Sequence, residues 1–350
     1  MMRLLRTIPS ISMLLLATSL CSCGDSNGPD GGGPDAGGSD AGRSWSVIHD
    51  GLDRVLLSAW GVDATDLWVA GGSLGSAGGP LALHLEGGAW TELDTGVSES
   101  FWWVWGTGEG EVFFVGEGGV IVRTDGVSVE RMTSPTTATL FGAWGSSPTD
   151  VWAVGGDPFG TTDAATILHF DGTEWTETIL ASPLSGALFK VWGTGSDDVW
   201  AVGQVGIALH WDGVQWTPTD TGVTGSLFTV HAVAPDDVWA VGGPPRALIH
   251  WDGTSWTAED PFGYGGQLNG VAATVDEVLV VGVGGIKWRR EAGAWIDDYD
   301  FDPVGDLHGA WLGTDGQAFV VGGNFLHPPG TTRYGVVGYY GSTPPASTLR

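Results

Sequence analysis

One short pattern recurs seven times between Ser44 and Ser342, and this recurrence restricts the fold more than any other property of the chain. Two clear copies are Phe141-Gly-Ala-Trp144-Gly145, Asp150-Val-Trp152-Ala-Val-Gly155, His169-Phe-Asp-Gly-Thr-Glu-Trp175, and Phe189-Lys-Val-Trp192-Gly193, Asp198-Val-Trp200-Ala-Val-Gly203, His210-Trp-Asp-Gly-Val-Gln-Trp216. The first anchor falls at Trp60, Trp105, Trp144, Trp192, His231, an apolar position near Val271, and Trp311. A period of about 40 residues made of short strand-like segments predicts a β-propeller. The second anchor is an acid, any residue and an aromatic: Asp66-Leu-Trp68, Glu111-Val-Phe113, Asp150-Val-Trp152, Asp198-Val-Trp200 and Asp237-Val-Trp239, decaying to Glu277-Val-Leu279 and Gln317-Ala-Phe319.

Each copy reads as four strands. Both faces of each strand are apolar or aromatic, as expected for sheets sandwiched between neighbours. Asp-Gly pairs suit tight hairpins because glycine accepts positive φ. The seventh copy stops after Gly335-Val-Val-Gly-Tyr-Tyr-Gly341 without a fourth strand, whereas Gly42-Arg-Ser-Trp45-Ser-Val-Ile48 carries the fourth-strand pattern. The expected fold is therefore all-β, a seven-bladed β-propeller of four-stranded antiparallel blades closed by the N-terminal strand, which removes a free sheet edge. A six-bladed ring with an accessory segment is the alternative, because the sixth copy is degenerate.

The Val-Gly-Gly…Phe-Asp-Gly-x-x-Trp half resembles kelch-type propeller repeats. The Asp-Gly-x-x-Trp end is similar to the Asp-box of sialidase-like propellers, and Val-Trp-Ala-Val-Gly resembles tectonin repeats. The resemblance covers the repeat region of this chain and implies a propeller. It implies no activity, because such folds host enzymes, lectins and scaffolds alike.

The expected organisation is a signal peptide at 1–22, a lipidated Cys23 with a tether to 42, the propeller at 43–342 and a tail at 343–350. Arg3 and Arg6 precede a short apolar run from Ile11 to Leu20, as in a secretory signal. Leu20-Cys21-Ser22-Cys23 resembles a bacterial lipobox, which implies lipid on Cys23. An ordinary signal peptide cut nearby is the alternative. The run is short for a transmembrane helix, so the lipid would be the sole membrane contact. With Cys23 modified, no free thiol or disulfide remains. Residues 24–42 are rich in Gly, Asp and Pro and lack the apolar content to pack. Asp25, Asn27 and Asp30 faintly echo a calcium loop, but its twelfth position would be Ala36. Calcium is a weak candidate, and no other cofactor or metal is expected.

The formal charge is −28, moving to −30 if Arg3 and Arg6 leave with the signal. Such a surface repels nucleic acid and anionic lipid. The acid pairs Asp197-Asp198 and Asp236-Asp237 fall in a repeated turn and read as turn capping. The 20 tryptophans sit mostly at repeat positions and read as core between blades. His84, His169, His210 and His250 recur on the third strand, too far apart on separate blades to share one metal, and read as structural.

The candidate site comes from what does not repeat. Connections between the second and third strands, and from the fourth strand to the next blade, vary in length and emerge on one face. The other turns are nearly constant. A diversified face on a rigid frame is expected to bind. The second position of the first strand reads Ser58, Trp103, Gly142, Lys190, Thr229, Asn269 and Gly309 around the ring. These residues are expected at the channel mouth, with Trp103 as stacking platform, Lys190 as cation, and Asn269, Thr229 and Ser58 as polar contacts. Phe159, Arg246, Tyr264 and Arg333 are further candidates on the loops.

Catalytic patterns are sparse. His-Glu-x-x-His and phosphate loops are absent. A sialidase-like site would need an arginine cluster, and Arg123, Arg246 and Arg333 are selected by no motif. The expected function is a non-catalytic binding module, a monomer exported and lipid-anchored in the bacterial envelope, on the outer membrane or cell surface. It would recognise an envelope protein or extracellular glycan through its variable-loop face. A sialidase-like or other glycan-active enzyme is the alternative.

Overall fold

The computed structural model describes residues 42–74, 78–159, 165–182, 184, 186–299, 302–303, 305–325 and 334–349. Seven separate four-stranded antiparallel sheets form its blades. Their first strands are Val55–Asp63, Phe101–Gly106, Thr139–Ser147, Leu188–Gly195, Ser226–Ala234, Leu268–Ala273 and Leu307–Leu312. Each packs against the first strands on either side, and the seventh returns to the first, closing the ring. The degenerate sixth copy builds a full blade from Leu268–Ala273, Glu277–Gly282, Lys287–Glu291 and Ala294–Asp297, which excludes six blades.

The seventh blade is closed across the chain's two ends. Ser44–Leu52 pairs antiparallel with Gly335–Gly341, so the outermost strand comes from the beginning of the chain. Trp45 lies opposite Tyr340 with ring centroids 5.1 Å apart. Trp175 meets Phe170 at 5.3 Å and Trp216 meets Trp211 at 5.8 Å in the corresponding places. A fourth-strand tryptophan holds this place in six of the seven blades, Val129 standing there in the second, which is why its pattern marks the displaced strand.

Within a blade, the second anchor and the third-strand histidine form one unit. In the third blade the His169 ring stacks on Trp152 at 4.2 Å, and its Nε2 meets Asp150 Oδ1 at 2.6 Å. The same arrangement joins Trp68, His84 and Asp66; Trp200, His210 and Asp198; and Trp239, His250 and Asp237. Two of the copies that lose histidine keep the chemistry by other means. In the second blade Arg123 bonds Glu111 and lies over the Phe113 ring. In the seventh, the Tyr339 hydroxyl donates to Gln317 Oε1 while its ring packs on Phe319.

Between blades, the Trp-Gly anchor explains itself. The Trp60 indole lies where a Cβ on Gly106 of the next blade would stand, 2.4 Å from the ring. Trp105 covers Gly145 and Trp144 covers Gly193 likewise, with would-be contacts of 2.9 and 2.8 Å. Trp311 Nε1 donates to the Gly61 carbonyl at 2.8 Å, joining the seventh blade to the first. These indoles and the Val, Leu and Phe side chains of the second and third strands make up the core.

The Asp-Gly turns also follow the sequence rule. Asp171 Oδ1 accepts from the backbone N–H of Thr173 and Glu174 at 2.8 and 3.0 Å, and Gly172 takes φ of 89°. Those backbone donors hold Asp171 below the usual carboxylate range. The turns joining first to second strands stay short in most blades, as at 64–65, 148–149 and 235–236. On the opposite face the connections run from 244–246 to 324–334 and from 53–54 to 178–187.

Truncating Trp45 to alanine should lower unfolding stability by about 2–4 kcal/mol, as for a large ring removed from a packed site. A chain beginning at Val55 should expose the edge of Gly335–Gly341 and self-associate. Urea titration and light scattering would check both outcomes.

Candidate functional site

The first strands bend as they enter the channel. In every blade the pairing register slips by one residue near the start of the first strand, between Leu56 and Ser58 or Leu188 and Lys190 for example. The residue placed at each slip is Leu57, Trp102, Phe141, Phe189, Phe228, Asn269 or His308. This corrects one sequence assignment. The sixth-blade residue equivalent to Ser58 is Gly270, and Asn269 belongs to the slipped position instead. The sixth copy's anchor is Ala272 and not Val271, so the residue two places before it is Gly270.

The slipped residues form an aromatic collar at the variable-face end of the channel. Trp102 meets Phe141 at 5.0 Å, Phe141 meets Phe189 at 5.4 Å, and Phe189 meets Phe228 at 5.7 Å. His308 lies 6.2 Å from Trp102 and 5.1 Å from Phe325. Trp102, Phe228 and His308 are half-buried. Sequence reasoning passed over this ring because aromatic residues there look like ordinary core.

The polar residues of the expected ring mostly bond neighbouring blades. Ser58 Oγ accepts from the Val104 N–H at 3.2 Å. Thr229 Oγ1 donates to the Asn269 carbonyl at 2.6 Å, and Asn269 Nδ2 donates to the Leu307 carbonyl at 2.8 Å. His308 Nδ1 donates to the Leu57 carbonyl at 2.6 Å. Gly142 and Gly309 allow close passage, since a Cβ there would come within 2.9 Å of Lys190 Cα and of the Leu57 carbonyl, respectively.

Lys190 is 2% exposed. Its Nζ donates to the Phe141 carbonyl at 2.9 Å and sits 3.5 Å from the Trp103 ring centroid. The structure therefore brings Trp103 and Lys190 together inside the channel. Burial pushes the Lys190 amine well below the ordinary lysine value. Burial also holds His231 at about 3, and burial with the nearby Lys190 amine holds His308 at about 3 against its bond to Leu57.

The loop candidates lie apart from this ring. Phe159 and Tyr264 are each 54% exposed, and the Tyr264 hydroxyl bonds Asp297. Arg246 donates to the Gly265 carbonyl and to Asp260, with its guanidinium 5.6 Å from the Trp288 ring centroid. Arg333, Cys23 and the calcium-like segment around Asp25 lie outside the described residues.

At the opposite end, below Trp103, the channel widens into a cavity of about 390 Å³. Its walls include Trp60, Trp192, His231, Trp311 and Thr229. Ala272 stands in the sixth blade where other copies carry an indole or imidazole, opposite Leu279 as Trp60 is opposite Trp68. The ring is missing there, and Leu312 of the next blade stands where most other copies carry glycine. His231 stacks on Trp192 at 4.2 Å and narrows the adjacent wall.

No protein-family model matches the chain, and no curated relative is found. Solved structures do resemble it. One described as YCF48 bound to D1 peptide superposes with a TM-score of 0.64 at 17% identity, covering 85% of this chain and 96% of that one. YCF48 from Cyanidioschyzon merolae gives 0.60 at 16% identity, covering 85% and 98%. At such identity the likeness is one of fold: this chain shares the propeller architecture. The peptide belongs to the YCF48 structure.

The buried imidazoles set a pH dependence. Unfolded histidines take up protons below about 6.5, whereas His231 and His308 in the fold do so only near 3. The unfolded state binds more protons in that window, so stability falls as pH drops, by about 1.4 kcal/mol per unit for each histidine. His231→Trp, the residue other copies carry, should remove one histidine's share of the slope. Lys190→Met should match or exceed the parent stability by about 1–3 kcal/mol, as when a buried charge is replaced by an apolar side chain. It should also flatten the rise in stability toward pH 10, because the unfolded lysine holds its proton longer than the folded one. Urea midpoints measured across pH would check these outcomes.

Proposed function

We propose that this chain is a non-catalytic protein-binding propeller, carried on the bacterial cell envelope by lipid on Cys23, that recognises its partner with the variable-loop face. The observation that carries this reading is where exposed aromatic side chains lie. Phe159, Tyr264, Tyr299 and Tyr334 are the exposed aromatics among the described residues, and all four lie on variable-face connections. The large apolar side chains exposed at the constant-face turns are valines: Val62, Val127, Val214 and Val275. Aromatic residues are enriched where proteins dock, and isolated valines at turn tips are ordinary surface.

The half-buried Trp102 and Phe228 of the collar lie at the centre of the same face, with Phe159, Arg246 and Tyr264 on its loops. The frame beneath is fixed by the blade contacts, so loops can vary without disturbing it. The peptide held by the YCF48 propeller is a precedent for the fold in this role. The Gly/Asp/Pro tether would let the propeller stand away from the bilayer. Trp103 and Lys190, inside the channel, would support this surface from below. An extracellular glycan on the same aromatic surface is the competing ligand.

The test is capture from cells expressing the full-length chain, after light crosslinking. Phe159→Ser with Tyr264→Ser should cut recovery of one discrete protein partner at least about tenfold, a loss of about 1.4 kcal/mol. Val127→Ser with Val214→Ser on the opposite face should leave recovery unchanged. Equal recovery with both double variants, or retention of polysaccharide alone, would reject the proposal. Cys23→Ser should move the protein from the membrane to the soluble fraction.

A further inference from the structure

The cavity at the constant face has a chemistry separate from the proposed docking surface. Its walls include Trp60, Trp192, Trp311, His231 and Trp103 among small and aliphatic residues such as Ala232, Val233, Ala272 and Leu312. The indole N–H of Trp311 is bonded to Gly61, and the Thr229 hydroxyl to Asn269. What the rings present to the space is mainly aromatic surface.

The turns around this mouth add mostly negative charge, with Arg123 paired to Glu111 and Arg43 to Glu277. Those joining first to second strands carry, at or beside them, Asp63 and Asp66, Glu109 and Glu111, Asp150, Asp197 and Asp198, Asp236 and Asp237, Asp276 and Glu277, and Asp315. The connecting residues 64–65, 107–111, 148–149, 196–197, 235–236, 274–276 and 313–317 contain no lysine or arginine. An aromatic recess ringed by acids, in a chain of net charge −28, concentrates cations at its mouth. Indole faces then favour the cation within, because their π clouds are negative.

The chain already places an amine on an indole face, where burial works against its charged form. The Lys190 amine lies on the Trp103 face and donates to the Phe141 carbonyl. The first strands are the innermost strands of their sheets, so their channel-facing edges have no neighbouring strand to pair with. The carbonyls that accept from Thr229, Asn269 and His308 also belong to first strands.

We propose that the cavity beside Ala272 is a binding site for a primary alkylammonium group, held against the indoles of Trp60, Trp192 and Trp311 and donating to first-strand carbonyls. The group would arrive as a lysine side chain of a protein or as a free diamine. The site lies at the opposite end of the channel from the docking face proposed above and stands independently of it.

The experiment titrates the full-length protein with Nα-acetyl-lysine methylamide, followed by tryptophan fluorescence and calorimetry. Its norleucine analogue, of the same length without the charge, and cadaverine serve as comparisons. The lysine amide or cadaverine should bind at least about tenfold more tightly than the norleucine analogue, and added salt should weaken the binding. Tighter binding of the lysine amide would assign the site to a protein side chain; tighter binding of cadaverine would assign it to a free diamine. Ala272→Trp, which restores the repeat residue, should abolish binding. Ala272→Leu should weaken it with the melting temperature unchanged, which keeps the test valid if the larger substitution disturbs folding. Equal binding of the norleucine analogue, full binding by a folded Ala272→Leu or Ala272→Trp protein, or no binding of either amine would overturn the proposal. Phe159→Ser with Tyr264→Ser should leave amine binding intact, so failure of the docking face and failure of the cavity can be told apart.

Discussion

The ring leans, at four of its seven junctions, on an indole set against a glycine of the next blade. Trp60 on Gly106, Trp105 on Gly145 and Trp144 on Gly193 set how closely successive first strands approach, and a single Cβ at any of these glycines would collide with the ring. A propeller must close after a whole number of blades, so each interface must repeat nearly the same spacing. One contact used repeatedly meets that demand. It also explains why tryptophan is so abundant in a chain whose function need not involve tryptophan at most of those positions.

Decay of the repeat has different consequences at different positions. The acid, the third-strand partner and the aromatic are interchangeable as a set. Asp150, His169 and Trp152 become Glu111, Arg123 and Phe113 in one blade, and Gln317, Tyr339 and Phe319 in another, while a polar bond and a ring contact persist. Buried polar groups require partners, so a change in one member is matched in another. The Trp-Gly anchor behaves otherwise. Its side chain borders the channel, where loss of volume opens space instead of breaking a bond. His231 and Ala272 are both departures from tryptophan there, and the cavity lies beside them.

The two faces of the ring divide along the same line. Turns on the constant face are fixed by Asp-Gly hairpins seated on neighbouring turns: a Cβ on Gly172 would press on Thr149, and one on Gly213 on Asp197. Loops on the other face also touch their neighbours, as Gly119 does Thr136 and Gly206 does Val223, but differ in length from blade to blade. Diversity on that side costs the frame little, and the exposed aromatics are found there. The acidic recess on the constant side arises from the scaffold itself, because the acids cap turns and the rings space the blades.

Blade number, strand order and closure by the N-terminal strand could be read directly from the sequence, because each is written as a period or as a missing period. Trp45 betrays its place in the seventh blade by standing in a fourth-strand pattern with no strands before it. The contrast of constant and variable connections is likewise a matter of counting residues. Which side chains meet in the channel was settled only by the tertiary structure. The sixth-blade anchor is Ala272, which moves Asn269 out of the expected ring, and a one-residue slip in each first strand gathers Trp102, Phe141, Phe189 and Phe228 into a collar. Lys190 turns inward to Trp103 instead of standing free at the mouth. Periodicity assigns residues to strands within one copy, whereas the channel is built from seven copies at once, and its contacts depend on the distances and bulges between them.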